Sequence, residues 1–451
     1  MKRSLLSLLL LPLSLLLHAQ IISGPMLGQV EYRDAKVWLE VSPAVRSVQL
    51  IYYKKGEPAK AKTMSYSGIL GQPFNPIQFT VGGLELNTTY QYRFLVDGKQ
   101  VKQNGEFTTK DLWQWRKPAP DFSFITGSCA YFNEPVVDRP GKPYGADSSI
   151  FETMAKEKAA FMFWLGDNWY TREVDFFSKH GLWYRAHYDR KQPVLQNLLK
   201  AFPHYANWDD HDYGPNNSGQ GFHLKEESKK VFDSYWANPS SGYRGEGIYT
   251  QFSYGDAEFF VVDDRWWRSA DEMKDSVNGQ PNPEKRMIGA QQMQWLKNAL
   301  LNSLAVFKFV TIGSQVLNPP STKDKFLSYP AEYYELVNFI TSNKINGVLF
   351  LTGDRHHSEV IKVERPGTYP LYDITVSSLT AGTVGFTGPE EKSPFRLLGI
   401  DKNNYGRFSF SGARGERKLL VEFLGTKGEK LGEWSISESA LKNPAEKTAA
   451  H

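Results

Sequence analysis

The sequence predicts an α/β protein whose main region is a sheet covered by helices on both faces, preceded by a small all-β sandwich. Three observations predict it. Before residue 110, apolar and polar residues alternate with a period of two. After Asp121, short apolar runs alternate with longer amphipathic stretches. The chain of 451 residues exceeds the usual size of one domain and can bury a large core.

Residues 1–20, "MKRSLLSLLLLPLSLLLHAQ", place Lys2 and Arg3 before a leucine-rich run from Leu5 to Leu17. The run is shorter than the roughly 20 residues that span a bilayer, and Ala19 supplies a small residue at a cleavage point. A signal peptide is therefore expected, with an exported product, periplasmic or extracellular, and no transmembrane anchor. Without Lys2 and Arg3, 51 basic residues face 49 acidic ones, and the formal net charge falls from +4 to +2. That balance points to neither nucleic acid nor an anionic membrane as partner. Cys129 is the single cysteine, so no disulfide staples the fold.

Residues 21–110 hold "AKVWLEV" (Ala35 to Val41), "SVQLIYY" (Ser47 to Tyr53) and "YQYRFLV" (Tyr90 to Val96), separated by glycine and asparagine turns. Short alternating strands of this kind suit a two-sheet sandwich. "LELNTTYQYRF" resembles fibronectin type III and immunoglobulin-like domains, and the segment carries no residues that suggest chemistry; a spacer or a wall beside the active site is the expectation. Residues 111–120 read as a linker, with Trp113 and Trp115 expected to pack at the joint.

The main region is expected at 121–438, with a polar tail at 439–451. Its strand candidates are "FSFITG", "AFMFWLG", "HYANW", "AEFFVVD", "FKFVTIG", "NGVLFLTG" and "LYDITVSS". Its helix candidates are "SSIFETMAKEKAA", "EESKKVFDSYWAN", "GAQQMQWLKNALLNS" and "PAEYYELVNFITSNK", with Pro330 placed to start the last.

The chemistry lies just past four of those strands. "FSFITG" leads into Ser128 and Cys129, "FMFWLG" into Asp167, Asn168 and Tyr170, "HYANW" into Asp209, Asp210, His211 and Asp212, and "VLFLTG" into Asp354, Arg355, His356 and His357. Layered α/β proteins bind ligands at the carboxyl ends of strands. Taken singly, Cys129 reads as core filler, a "GD" as a turn, "DDHD" as a solvated loop and His357 as a packing residue. Four such ends at one rim argue instead for a metal site, because converging carboxylates repel unless a cation lies among them.

"GSC", "GDNWY", "WDDHD", "VVDDR", "IGAQQMQWL" and "LTGDRHH", in this order between Asp121 and Glu438, resemble the alkaline phosphatase D (PhoD-like) family of metallophosphatases. The resemblance implies a layered metallophosphoesterase-type β-sandwich flanked by helices. It implies ferric iron (Fe3+) held by Cys129, Asp167, Tyr170 and His356, with Asp167 shared by calcium (Ca2+), one ion or two, that Asp210 and Asp354 also bind; Asp209 competes with Asp210 for that place. It gives His211 the position facing the substrate and Asp212 that of the acid orienting it. Arg265 matches an arginine of the family, but Asp264 stands where the family usually has threonine, so a phosphate clamp and a structural salt bridge both remain open. The implied activity is hydrolysis of a small-molecule or lipid phosphate ester by in-line attack of a metal-bound hydroxide on monoesters, extending to diesters. The alternatives are a phosphodiesterase or phospholipase of the same fold, differing in the loops 214–222 and 382–395; a calcium-stabilised surface binding protein, which has no use for Cys129 or Tyr170; and a zinc hydrolase, which prefers more histidines.

Overall fold

The computed structural model describes residues 20–321 and 324–444. The expected signal peptide, apart from Gln20, and residues 445–451 of the expected tail lie outside the described residues. No helix among the described residues is long and apolar enough to cross a membrane.

The N-terminal segment forms two facing antiparallel sheets. One orders the strands Ile21–Val30, Asp34–Val41 and Asn75–Gly82; the other orders Lys62–Ser65, Val48–Lys54, Thr89–Val96 and Lys99–Thr108. Period-two alternation turns Tyr90, Tyr92, Phe94 and Val96 into the space between the sheets, where they meet Val37, Leu39, Ile77, Phe79 and Val81. Met26 and Trp38, from the same strands, point the other way and join the core of the main region. The small sandwich is therefore docked on one full face.

Trp115 departs from the expectation. It is 85% exposed and adopts a left-handed backbone (φ 62°), in a turn where the Arg116 and Lys117 amides both donate to the Trp113 carbonyl. That turn throws its ring outward. The joint is made by Lys110, which pairs with Glu31 and donates to the Ser253 carbonyl, and by Tyr32 with Gln114.

The main region packs two sheets face to face. The six-stranded sheet runs His204–Asn207, Met162–Leu165, Phe122–Gly127, Asn404–Ser411, Lys418–Gly425 and Lys430–Ser437; its first three strands are parallel. The seven-stranded sheet runs Thr250–Tyr254, Ala257–Val261, Phe307–Ile312, Val348–Thr352, Leu371–Thr375, Ser358–Val363 and Arg396–Ile400, with a parallel centre from Ala257 to Leu371. Aromatic rings fill the interface: Phe124 meets Phe259 edge-on at 5.2 Å, and Phe259 stacks on Phe309 at 5.1 Å.

All seven expected strands form, and helices occupy Lys225–Tyr235, Ala290–Asn302 and Pro330–Ser342, the last opening on its proline. The helix expected across 148–160 covers only Ile150–Met154; the chain then turns to enter the sheet at Met162, and Glu157 is held by Tyr405 and Arg407. A helix not read from sequence, Lys179–Arg190, starts on the Ser178 side chain and buries Arg185, Asp189 and Arg190, so it shows no apolar stripe. Beyond Glu438 the chain stays ordered far enough to bury Leu441, whose carbonyl accepts from the Gly347 amide.

Candidate metal centre

The parallel strands of both sheets end at one rim, and the first residues beyond them bend sharply. Cys129, Asp167, Asp354 and His356 all have left-handed backbones, with φ of 60°, 51°, 64° and 57°. Such conformations are uncommon for residues other than glycine and cluster where side chains are held for a task. Glycines make room for the crowding. A Cβ on Gly313 would lie 2.6 Å from the Asp209 carboxyl carbon, and one on Gly353 would lie 2.6 Å from the Leu165 carbonyl oxygen.

Among the described residues, potential ligand atoms fall into three overlapping groups, each within 4.8 Å: Cys129, Asp167 and His356; Asp167, Asp210 and His211; and Asp209, Asp210 and Asp354. Asp167 belongs to the first two, the position a bridging ligand requires. Cys129 Sγ lies 3.6 Å from Asp167 Oδ2 and accepts from Ser377 Oγ at 3.2 Å. Tyr170 Oη lies 3.2 Å from His356 Nε2. The Gly382 carbonyl, 2.5 Å from His356 Nδ1, accepts a hydrogen bond from that nitrogen's N–H and leaves the Nε2 lone pair facing Tyr170. Tyr144, which the sequence did not single out, adds its hydroxyl 3.1 Å from the same Nδ1. It follows no strand, so no pattern marked it.

Asp209 and Asp210 point in different directions. Asp210 lines a cavity of about 720 Å³, accepts from the Asn217 amide at 2.8 Å through Oδ2, and has no hydrogen-bond partner for Oδ1, which Arg265 Nη2 approaches to 4.0 Å. Asp209 is fully buried, with Oδ1 taken by Arg265 Nε at 2.6 Å and Oδ2 unpartnered. Arg265 itself has no exposed surface and lies among Asp209, Asp324 and Asp264, so it is absent from the cavity wall. Of its two open readings, the geometry matches the salt bridge.

His211 lines the cavity, stacks on Tyr170 with ring centres 4.3 Å apart, and donates its backbone N–H to Asp167 Oδ1 at 3.2 Å. Its Nδ1 has no protein partner. Asp212 does not face that ring as expected. Its two oxygens accept from the Asn168 amide at 2.9 Å and the Asp209 amide at 3.0 Å, closing a capping box on the short helix Asp210–Tyr213. Its place is to set the loop, and His211 only through it.

The electrostatics fit cations. Burial pushes Asp167 well above the usual carboxylate range, and Asp210 and Cys129 add to it; Asp354 is pushed up to about 7, first by burial and then by Asp324 and Asp210. Burial also raises the Cys129 thiol to about 11. For Asp210, burial is outweighed by His211 and Arg265, which hold it below its ordinary value. Without a positive ion these side chains pay both desolvation and mutual repulsion. The unpartnered Asp210 Oδ1 and Asp209 Oδ2, beside a thiol, a phenol and an imidazole Nε2, form a donor set that two metal ions fit.

Across the cavity lie Arg268, Lys285, Lys325 and Arg355, none assigned from sequence. Arg268 pairs with Asp271 and Asp324, Lys285 with Asp275, and Arg355 grips both oxygens of Glu390 at 2.7 and 2.8 Å. His357 is buried against Phe386, with Nδ1 3.1 Å from the Val384 carbonyl.

A family model described as PhoD-like phosphatase matches residues 124–419, and one described as a domain of unknown function (DUF7800) matches residues 18–111. The chain is 29% identical over 323 residues to alkaline phosphatase D of Bacillus subtilis (strain 168), an alignment covering 61% of this chain and 52% of that protein. It thus spans about half the length of that curated relative. The solved structure of PhoD matches with a TM-score of 0.72 at 21% identity, over 91% of this chain and 88% of that one. A purple acid phosphatase from yellow lupin (Lupinus luteus) seeds matches with a TM-score of 0.66 at 10% identity, over 94% and 77%. These two likenesses show the layered fold.

Proposed function

The chain belongs to the PhoD-like phosphatase family, and from that premise we propose that it hydrolyses phosphoric esters at a two-metal centre, as an exported enzyme. The observation that carries the reading is the sharing of Asp167 between two adjoining groups of ligand atoms, one with Cys129 and His356 and the other with Asp210 and His211, Asp210 belonging in turn to a third group with Asp209 and Asp354. Cys129, Asp167, Tyr170 and His356 would hold ferric iron, since thiolate and phenolate donate charge to a trivalent ion. Asp167, Asp210 and Asp354 would hold calcium, which takes oxygen ligands in flexible numbers. When bound, such ions make water a nucleophile at neutral pH and neutralise charge on phosphoryl oxygens.

The remaining work falls to the protein. The Gly382 carbonyl fixes the His356 tautomer, and the Asp212 cap fixes the backbone that presents Asp210 and His211. His211, at the cavity wall, protonates or hydrogen-bonds the leaving alkoxide oxygen. The segments 214–222 and 382–395 supply Asn216, Asn217, Val384, Thr387 and Glu390 to the cavity, so the choice between monoesters and diesters is assigned to them. Metal analysis of the purified protein, with turnover of one aryl monoester and one diester, tests the proposal. Iron with calcium and hydrolysis of at least one substrate is expected, with a visible charge-transfer band that Tyr170→Phe shifts or bleaches. A colourless, fully active zinc protein would sink the iron assignment, and a metal-loaded protein inert on both esters would sink the activity.

A further inference from the structure

The N-terminal sandwich is more than a neighbour of the metal centre. Beside contacts to the helix Lys179–Arg190, several of its side chains converge on one segment, residues 233–239, at the end of the helix Lys225–Tyr235. Gln78 Nε2 donates to the Asp233 carbonyl at 2.7 Å and the Trp236 carbonyl at 3.2 Å. Trp38 Nε1 donates to the Ser234 carbonyl at 2.8 Å, and Lys36 Nζ to the Asn238 and Pro239 carbonyls at 2.5 and 3.1 Å. The Gln29 amide donates to the Ala237 carbonyl at 3.1 Å, and at Gly28 the backbones approach so closely that a Cβ would lie 2.3 Å from the Ala237 oxygen. Buried Glu40 accepts from Tyr235 Oη at 3.0 Å and from His187 Nδ1 at 2.7 Å. A helix leaves its last carbonyls without partners inside itself; here a separate layer of the protein supplies the donors.

That segment in turn grips the strand leading to the ligands. His204–Asn207 is the edge strand of its sheet. Asn238 covers its open side as another strand would, accepting from the Ala206 amide at 3.0 Å and donating to the Ala206 carbonyl at 2.7 Å. The sandwich also touches the residue that enters this strand, through a bridge between Leu27 and Pro203. Two and four residues beyond Ala206 come Trp208, packed on Phe232 of the helix at 5.4 Å, and Asp210. The helix also holds the far side of the loop, Ser228 Oγ donating to the Tyr213 carbonyl at 2.5 Å.

We propose that the N-terminal sandwich is a positioning element for the site: through residues 233–239 it fixes the edge strand and the loop 208–213, and so places Asp210 for the second cation. The proposal rests on the reading of Asp210 as a ligand. Lys36 and Gln78 are positioning residues, both half-buried and both outside the sandwich's own apolar core.

The test is the double variant Lys36→Met/Gln78→Met in the full chain, alongside Lys36→Arg and Asn238→Leu. Amide hydrogen exchange is followed in residues 204–213, and calcium is titrated into the iron-loaded protein. The double variant and Asn238→Leu are expected to speed exchange in 204–213 and weaken calcium binding roughly tenfold, the scale of losing an outer support of a metal ligand. Iron content should stay unchanged, as should kcat at saturating calcium, and Lys36→Arg should behave as wild type. A lower melting temperature with exchange in 204–213 and calcium affinity both unchanged would overturn the proposal, reducing the sandwich to a general stabiliser. Wild-type protein that takes up no calcium would overturn the ligand reading instead, and exchange in 204–213 would then decide the brace alone.

Discussion

His204 opens the strand that runs on to Asp209 and Asp210, and its imidazole is fully buried between two fixed partners. Its Nδ1 accepts from Trp164 Nε1 at 3.0 Å, and its Nε2 donates to the Leu198 carbonyl at 3.0 Å. Protonation would turn Nδ1 into a donor facing another donor. Burial, with the Arg190 guanidinium adding to it, pushes the group from 6.5 down to about 3 despite the Leu198 carbonyl. The sign follows from linkage. As pH falls below 6.5 the unfolded chain takes up the proton and the folded one does not, so stability drains away until pH approaches the folded value. Between pH 6.5 and 4.5 the loss is about 2 kcal/mol, since the unfolded group is already half protonated where the window begins. At about 2.1 cal/mol/K of unfolding entropy per residue, a chain of this length loses about 2 °C of melting temperature for that energy. His204→Gln keeps a donor and an acceptor without titrating, so thermal unfolding should show wild type falling about 2 °C more than the variant over that window. Parallel curves, or an NMR titration of His204 near 6.5, would refute the reasoning.

Cys129→Ser keeps the volume and the Ser377 contact but removes the soft ligand, so iron content and turnover should fall together while the circular dichroism spectrum stays that of wild type; wild-type activity would return Cys129 to core filler. His211→Ala should leave both metals bound and slow turnover by about 10² to 10⁴, the range for a general acid. The loss should be larger for alkyl than for aryl phosphates, and equal losses would make His211 a positioning group. Arg265→Met strands Asp209 as an unpaired buried charge and leaves Asp324 to Arg268 alone, at a cost of about 3–5 kcal/mol. The melting temperature should drop by several degrees even in metal-free protein, whereas a variant with native stability and raised KM would restore the phosphate-clamp reading.

The sequence by itself determined which residues could carry chemistry. An apolar run followed at once by Cys129, Asp167, Asp210 or Asp354 is a local pattern, and parallel strands must present such ends at one rim, so the side chains able to hold a metal were readable as candidates before any contact was known. The sandwich strands were readable for the same reason, because alternation is a property of neighbouring residues. Only the tertiary structure decided where the side chains past those strands turn. Asp209 and Asp210 are adjacent and alike in sequence, yet Arg265, 56 residues from Asp209, draws one inward and leaves the other at the cavity. Asp212 is claimed by two backbone amides, Trp115 is thrown outward by a left-handed turn, and the helix holding Arg185 and Asp189 hides its buried face behind ion pairs. The docking of the sandwich on residues 233–239 left no mark in either segment, since carbonyl oxygens accept the bonds and every residue has one. Periodicity reports which face a strand or helix buries; partners far apart in the chain, meeting in a medium where an unpaired charge is costly, determine which way a loop carboxylate points.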